Sequence, residues 1–451
     1  MKVVVVGCGK VGESITEQLC QEKHDVVIID DKASVVESVS ARFDVMGIVG
    51  NGASLEVLKE AGIEKAALLI AVTNQDEINL LCCLIGRKAS GCNTIARVRN
   101  PQYRDEVGFI KEDLGLSLIL NPDYDAAVEA SRILRFPSAS KIDRFAKGKV
   151  ELLKFTVENK SVLEDKSLIE ISKYTNGEVL ISAVKRGNDV IIPKGSFVIK
   201  EGDEISFIAE PNVAKSFFKT IGIETHQVKN TIIAGGGRMA YYLAERLIKS
   251  GIGVKIIDND PVKCQELARD IPQATIICGD ATDRNILVEE GIKETESFVS
   301  LTGIDEENMF LSLFAKKESK AKVITKINRL SNNDIISNFD LGSVITPKNI
   351  STDLVVSYVR ALQNSIGSNV ETLYKLLDNK VEALEFKISK GAPVLGAPLG
   401  ALKIKNDVLV GCINRKGKIS IATGKSVIEE GDTVIVITTQ KGLSDIKDIL
   451  M

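Results

Sequence analysis

Two short stretches of the 451-residue chain carry one glycine spacing: Gly7, Gly9 and Gly12 within VVVVGCGKVG, and Gly235, Gly237 and Ala240 within TIIAGGGRMA. After an apolar run, this spacing suits anion binding. The first glycine makes a tight turn, the second lets the main chain approach a diphosphate, and the third lets a helix pack closely on a sheet; alanine is an accepted variant there. Phosphates would then lie at the helix N-terminus, where free N–H groups and the dipole favour negative charge. Asp30 and Asp258 end the next apolar runs, 23 residues after Gly7 and Gly235. A carboxylate there accepts hydrogen bonds from both ribose hydroxyls and repels a 2′-phosphate, so the preference is for NAD-like or adenine nucleotides over NADP. Asp31 adds to that charge in the first copy.

Lys10 and Arg238 occupy one slot in the two loops, although a helix dipole disfavours a cation at that end. A phosphate contact would explain the exception. Asn51 with Gly52, and Asp280 with Ala281, follow the third strand at the carboxyl edge, where ligands of open α/β folds collect, and are expected to flank the adenine. Thr73 and Asn74, with Thr302 and Gly303, follow the fourth strand and would border the phosphates; they read equally as turn and N-cap residues. Arg97, replaced by Lys326 in the second copy, lies on the fifth strand and is placed to reach a phosphate or cross a subunit interface.

The elements that must position these residues repeat too. VVIID (Val26 to Asp30) matches VKIID (Val254 to Asp258), IVGN matches ICGD, LIAVTNQD matches FVSLTGID, and TIARVR matches VITKIN. Four such apolar runs alternate with helix-length segments in each copy, the pattern of a parallel sheet covered on both faces. The expected fold class is α/β: two Rossmann-like, doubly wound parallel-sheet domains, each followed by a small α+β domain. Glu201, Gly202 and Asp203 before EISFIAE, and Glu430, Gly431 and Asp432 before TVIVITT, show that the small domain was copied as well. The reading gives domains 1–136, 140–222, 229–362 and 370–451.

Net charge is −3, with 58 basic and 61 acidic residues and no tryptophan, which leaves no overall case for nucleic acid. No apolar run approaches the ~20 residues needed to cross a bilayer. The first strand begins at Lys2 with no signal peptide before it. The eight cysteines and two histidines show no zinc-site spacing; Cys8, Cys82, Cys83 and Cys278 fall in apolar segments and read as small buried hydrophobes, implying a reduced compartment. A dehydrogenase needs a proton-transfer residue within reach of its substrate. His24, before the second strand, and His226, before the second fingerprint, read as surface residues. No catalytic residue is assigned, and nucleotide is expected to be sensed and not consumed.

The tandem order, with GCGKVG, Asp30, GNGAS, AVTNQDEIN and ARVRNP followed by GGGRMA, GDATD and LTGIDEEN, resembles the TrkA family, peripheral nucleotide-binding subunits of bacterial Trk potassium uptake systems. The resemblance covers the whole chain, with small domains similar to the C-terminal halves of RCK (regulator of K⁺ conductance) units. It implies a cytoplasmic protein, peripheral on the inner face of the cell membrane. As a homotetramer, its eight RCK units would form a gating ring on a Trk-type K⁺ channel subunit (TrkH/TrkG-like). The implied ligands are NAD(H), with ATP and ADP as alternatives. The implied first site is Gly7, Cys8, Gly9, Lys10, Val11, Gly12, Asp30, Asn51, Gly52, Thr73, Asn74 and Arg97. The implied second site is Gly235, Gly236, Gly237, Arg238, Met239, Asp258, Gly279, Asp280, Thr302 and Lys326, with lysine replacing arginine at the last position. Two alternatives stay open: an NAD-dependent oxidoreductase, and an RCK regulator of a different cation transporter.

Overall fold

The computed structural model describes residues 1–103, 106–135, 141–145, 150–157, 161–175, 177–187, 189–223, 227–328, 339–364, 370–376, 380–443 and 445–451, and these form two compact units. The first unit gathers 1–130 and 230–356, and the second 131–229 and 357–451.

In the first half of the chain the elements are β1 (Lys2–Val6), α1 (Lys10–Gln21), β2 (Asp25–Asp30), α2 (Ala33–Phe43), β3 (Met46–Val49), α3 (Leu55–Glu60), β4 (Leu68–Ala71), α4 (Asp76–Ser90), β5 (Asn93–Arg97), α5 (Val107–Asp113), β6 (Leu118–Leu120) and α6 (Pro122–Arg135). The small domain follows with β7 (Lys141–Phe145), β8 (Val150–Thr156), α7 (Leu168–Tyr174), β9 (Leu180–Arg186), β10 (Asp189–Ile191), β11 (Glu204–Ala209) and α8 (Pro211–Thr220). The copy runs β12 (Asn230–Ala234), α9 (Arg238–Lys249), β13 (Gly253–Asp258), α10 (Pro261–Asp270), β14 (Thr275–Cys278), α11 (Arg284–Glu289), β15 (Ser297–Ser300), α12 (Asp305–Glu318), β16 (Lys322–Lys326), β17 (Ser343–Ile345) and α13 (Pro347–Asn364). It closes with β18 (Val370–Leu376), β19 (Val381–Lys387), β20 (Val408–Arg415), β21 (Lys418–Ile421) and β22 (Thr433–Thr438).

Both large sheets are parallel and six-stranded, in the orders β3-β2-β1-β4-β5-β6 and β14-β13-β12-β15-β16-β17. The β-branched run Val3 to Val6 is buried on both faces, as a central parallel strand must be. Strand order reverses between β1 and β4, and between β12 and β15, so each glycine loop opens at a topological switch point.

The sixth strands, β6 and β17, are additions to the sequence reading: three residues each, pairing on one side only. Two other expectations change. His24 is buried, not at the surface, beside the N-terminal amine and Glu22. Cys278 is exposed, whereas Cys8, Cys82 and Cys83 are buried. His226 lies outside the described residues.

In the second unit two antiparallel sheets, β10-β9-β11-β8-β7 and β18-β19-β22-β20-β21, repeat one topology. The Gly-Asp turns have a structural reason. Gly202 and Gly431 take positive φ (79° and 83°), which costs glycine nothing. The next residues, Asp203 and Asp432, bury their carboxylates against Arg186 (2.7 Å to Nε) and Arg415 (2.9 Å to Nε). Phe155, Phe207, Phe217 and Phe218 fill the first small core with edge-to-face contacts, centroids 5.1 Å apart for Phe207 and Phe217. A further core joins the two sheets: Leu152, Ala183 and Ile208 pack with Val381, Ala383, Cys412, Ile435 and Ile437.

Candidate nucleotide sites at the two glycine loops

Each loop is built the same way. Gly7 and Gly235 leave the first strand at φ 92° and 100°, and a Cβ on either would stand under 3 Å from the main chain after β4 or β15, at Thr73 and Leu301. Gly12 sits so tightly that a Cβ would fall 1.9 Å from the Gly7 carbonyl oxygen. Around Gly9 and Gly237, by contrast, nothing lies within 4 Å of where a Cβ would be. These two residues are also the N-caps of α1 and α9, and neither helix start is closed by a side-chain cap. At α10 and α11, Asp260 and Asp283 do cap the helix. The glycine loops therefore present open space in front of uncapped N–H groups, which fits a phosphate.

Asp30 and Asp258 face these loops but are already engaged. Asp30 accepts from Cys8 N (2.7 Å) and Lys32 N (3.1 Å), and Asp258 accepts from Gly236 N (2.6 Å) and Asp260 N (2.9 Å). The carboxylate fixes the loop and keeps lone pairs for a further donor. Cys8 contributes main chain only: its thiol is buried against Ile29 O (3.8 Å), and burial, with the Asp30 and Glu13 carboxylates adding, pushes its pKa up to about 12. Val11 and Met239 are likewise buried and offer only their N–H groups.

Beside β3 and β14, Asn51 accepts from Ala53 N (2.9 Å), and Asp280 accepts from Thr282 N (2.8 Å) and Thr282 Oγ1 (2.7 Å), which holds Asp280 below the usual carboxylate range. Gly52 and Gly279 serve packing: a Cβ would strike Val6 Cγ1 at 2.1 Å or Ile286 Cδ1 at 2.8 Å.

The far wall depends on residues the sequence reading passed over. Asn79, wholly buried on α4, accepts from Thr73 N and Thr73 Oγ1 (both 2.7 Å) and donates to Thr73 O (3.1 Å) and Arg97 O (2.9 Å). Asn308 on α12 does the same work, accepting from Thr302 N (2.8 Å) and donating to Thr302 O (3.2 Å) and Lys326 O (3.1 Å). Asp76 accepts from Arg99 N (2.7 Å) and Asn100 N (2.8 Å), and Asp305 from Asn328 N (2.9 Å). The only signal was the repeated Asp-x-x-Asn within the quoted TNQDEIN and GIDEEN.

Arg97 donates to Thr73 O and to Asn74 Oδ1 (3.3 Å), and Lys326 donates to Leu301 O (3.0 Å). Both cations brace the end of the neighbouring strand. Burial, with Arg99 adding, brings Arg97 down to about 10; burial, with Lys10 adding against Asp123 and Asp305, lowers Lys326. The two copies also meet inside this unit. Arg238 of the second loop pairs with Asp123 of α6 (3.2 Å), Tyr242 of α9 donates to Arg99 O (3.0 Å), and Asn121 donates to Tyr242 Oη (3.1 Å). On the other side Thr352 of α13 donates to Ser14 of α1 (3.0 Å).

Fold and site together define a tandem dinucleotide-fold protein, with two glycine-loop sites in one chain. Residues 3–122 and 231–347 match the TrkA-N domain, and 152–222 and 383–451 the TrkA-C domain. The chain belongs to the TrkA family. It is 30% identical over 455 residues to the Trk system potassium uptake protein TrkA homolog 1 of Methanosarcina mazei, covering 99% of each chain. It is 28% identical over 449 residues to the TrkA homolog of Archaeoglobus fulgidus, covering 100% of both. Among solved structures it is similar to the GsuK channel bound to NAD (TM-score 0.63, 16% identity, 98% of this chain and 77% of that one) and to the GsuK RCK domain (TM-score 0.63, 16% identity, 98% and 92%). At that identity the likeness is one of fold.

Proposed function

We propose that this protein is the nucleotide-sensing regulatory subunit of a K⁺ uptake system, binding NAD(H), with ATP or ADP as alternatives, at both glycine loops. The observation that carries the reading is the pair of uncapped helix N-termini, each behind an open glycine and beside a loop-holding aspartate. Its working form is a homotetramer whose eight units ring the cytoplasmic face of a Trk-type membrane subunit, with domains 1–136, 140–222, 229–362 and 370–451. Among the described residues no helix is long and apolar enough to cross a membrane, so a separate pore-forming partner supplies the ion path.

Gating follows from differential affinity, since a ligand that binds two ring conformations equally shifts neither. A tenfold preference per site supplies about 1.4 kcal/mol, and several sites acting together bias a ring strongly. The oxidoreductase reading is poorly served by His24. It lies at the amino end of the six-residue β2, a strand length of about 20 Å from the carboxyl edge where the loop opens.

Titration calorimetry of NADH, NAD, ATP and ADP against the purified protein, with K⁺ flux in cells lacking it, tests the proposal. Nucleotide binding at two sites per chain and poor uptake at low external K⁺ are expected. Absence of binding, or normal uptake with no parallel K⁺ system operating, would overturn it.

A further inference from the structure

One pair of side chains distinguishes the second site from the first. Cys264 lies on α10 and Cys278 ends β14; the first copy has Val36 on α2 and Val49 at the end of β3. The correspondence holds in register, since Asp258 pairs with Cys278 as Asp30 pairs with Val49. Cys264 Sγ lies 3.3 Å from Asp258 O and 3.9 Å from Ile277 O, the main-chain oxygens of the residue paired with Cys278 and of the residue before Cys278. Both cysteines are free, Cys264 buried and Cys278 exposed. The geometry thus brings Cys264 Sγ to the end of β14, where Cys278 sits, directly beside the aspartate that holds the second glycine loop.

We infer that Cys264 and Cys278 form a reversible disulfide that weakens nucleotide binding at the second site alone, with a low-molecular-weight disulfide as oxidant. The inference rests on the reading of that loop as a nucleotide site. The exposed Cys278, as thiolate, attacks one sulfur of the oxidant RSSR, forming a mixed disulfide and releasing RS⁻, which takes the proton Cys278 gave up. Cys264 then loses its proton and attacks Cys278 Sγ, breaking the mixed bond and releasing a second RS⁻, which is protonated in turn. Two protein thiols lose two electrons, and RSSR becomes two RSH. Burial, with Cys278, Asp258 and Asp260 adding, raises Cys264 to about 11, so it stays protonated at neutral pH until the mixed disulfide presents itself. A covalent bond holds two sulfurs closer than any non-bonded contact. It therefore draws α10 toward the end of β14. Asp258 touches Cys264 through its carbonyl and pairs with Cys278, so the strain passes to Gly236 and Asp260, whose N–H groups it holds, and to Gly279 and Asp280, which follow Cys278.

Full-length protein equilibrated with reduced or oxidised glutathione provides the test. Peptide mapping reads the bond, and NADH calorimetry in Asp30→Ala and Asp258→Ala backgrounds reads the second and first sites separately. In oxidised glutathione a Cys264–Cys278 peptide is expected, with affinity at the second site about tenfold lower and restored by dithiothreitol. The first site should not respond. The Cys264→Val/Cys278→Val variant, which installs the first copy's residues, should keep one affinity under both conditions. No linked peptide, or a linked peptide with unchanged affinity, would overturn the inference. If the reduced Asp30→Ala protein binds no NADH, the site reading itself fails and takes the weakening with it, while peptide mapping still decides the bond.

Discussion

Asn79 and Asn308 each stand at the fourth residue of a helix and tie the helix to the ends of two strands. Replacing either amide by alanine strands buried main-chain groups, at about 2–4 kcal/mol. Urea denaturation of Asn79→Ala and Asn308→Ala should show a loss of this size. Asp30 and Asp258 act differently, because each holds a loop and faces the open side of it. Asp30→Ala and Asp258→Ala are expected to weaken NADH at their own sites by about 1.5–3 kcal/mol, the scale of hydrogen bonds to a charged group. Calorimetry on the single and double variants checks this, and unchanged affinity in all three would remove the assignment. The aspartates and glycines were legible because fixed spacing after apolar runs has few other causes. The asparagines were not, since a polar residue in a helical pattern reads as solvated and only the tertiary fold reveals what it bridges.

At the scale of elements, the two glycine-loop helices differ in how closely they seat. Gly12 leaves no room for a methyl group against Gly7 O, whereas the second loop accepts the fully buried Ala240 at the same place. Gly12→Ala should therefore lose first-site binding and destabilise its domain by about 1–3 kcal/mol, as overpacking does. Ala240→Gly should cost no more than ~1 kcal/mol. Thermal melts with calorimetry separate the two. The second Gly-Asp turn carries a pH signature. Burial alone would raise the Asp432 carboxyl, but its hydrogen bonds from Arg415 and Glu429 N, with the Arg415 charge, outweigh that and leave it lowered from 3.8. A lowered carboxyl contributes stability in full above its unfolded value, lost as pH falls through the folded one. The wild type should lose stability below about pH 4, and Asp432→Asn, already weaker at pH 7, should lose less on acidification. Periodicity gave five strands per sheet and missed β6 and β17, because a three-residue edge strand is defined by its one neighbour and not by its own pattern.

For the whole molecule, the sequence told of duplication but not of how the copies engage, since pairings such as Asp123 with Arg238 leave no local pattern. Asp123 neutralises the cation of the second loop from the other copy. Asp123→Asn should release Arg238 toward polyphosphate, tightening ATP at the second site by about two- to fivefold, the worth of a partly exposed ion pair. The gain should shrink with added salt, which titrations at two ionic strengths would show. Loss of Lys10 or Arg238 should hurt ATP more than ADP, and equal losses would leave them as surface cations. The small sheets carry one last implication. Leu152, Ala183 and Ile208 hold in the first copy the places that Ala383, Cys412 and Ile437 hold in the second, and the two sets meet in one core. A surface that covers its own duplicate is that of a two-fold dimer. A half-length chain carrying this surface would therefore be self-complementary. Joining both halves in one chain frees them from sharing one sequence, and the differences between Gly12 and Ala240, Arg97 and Lys326, and Val36 and Cys264 let the two loops be set separately, a freedom that a dimer of identical chains never has.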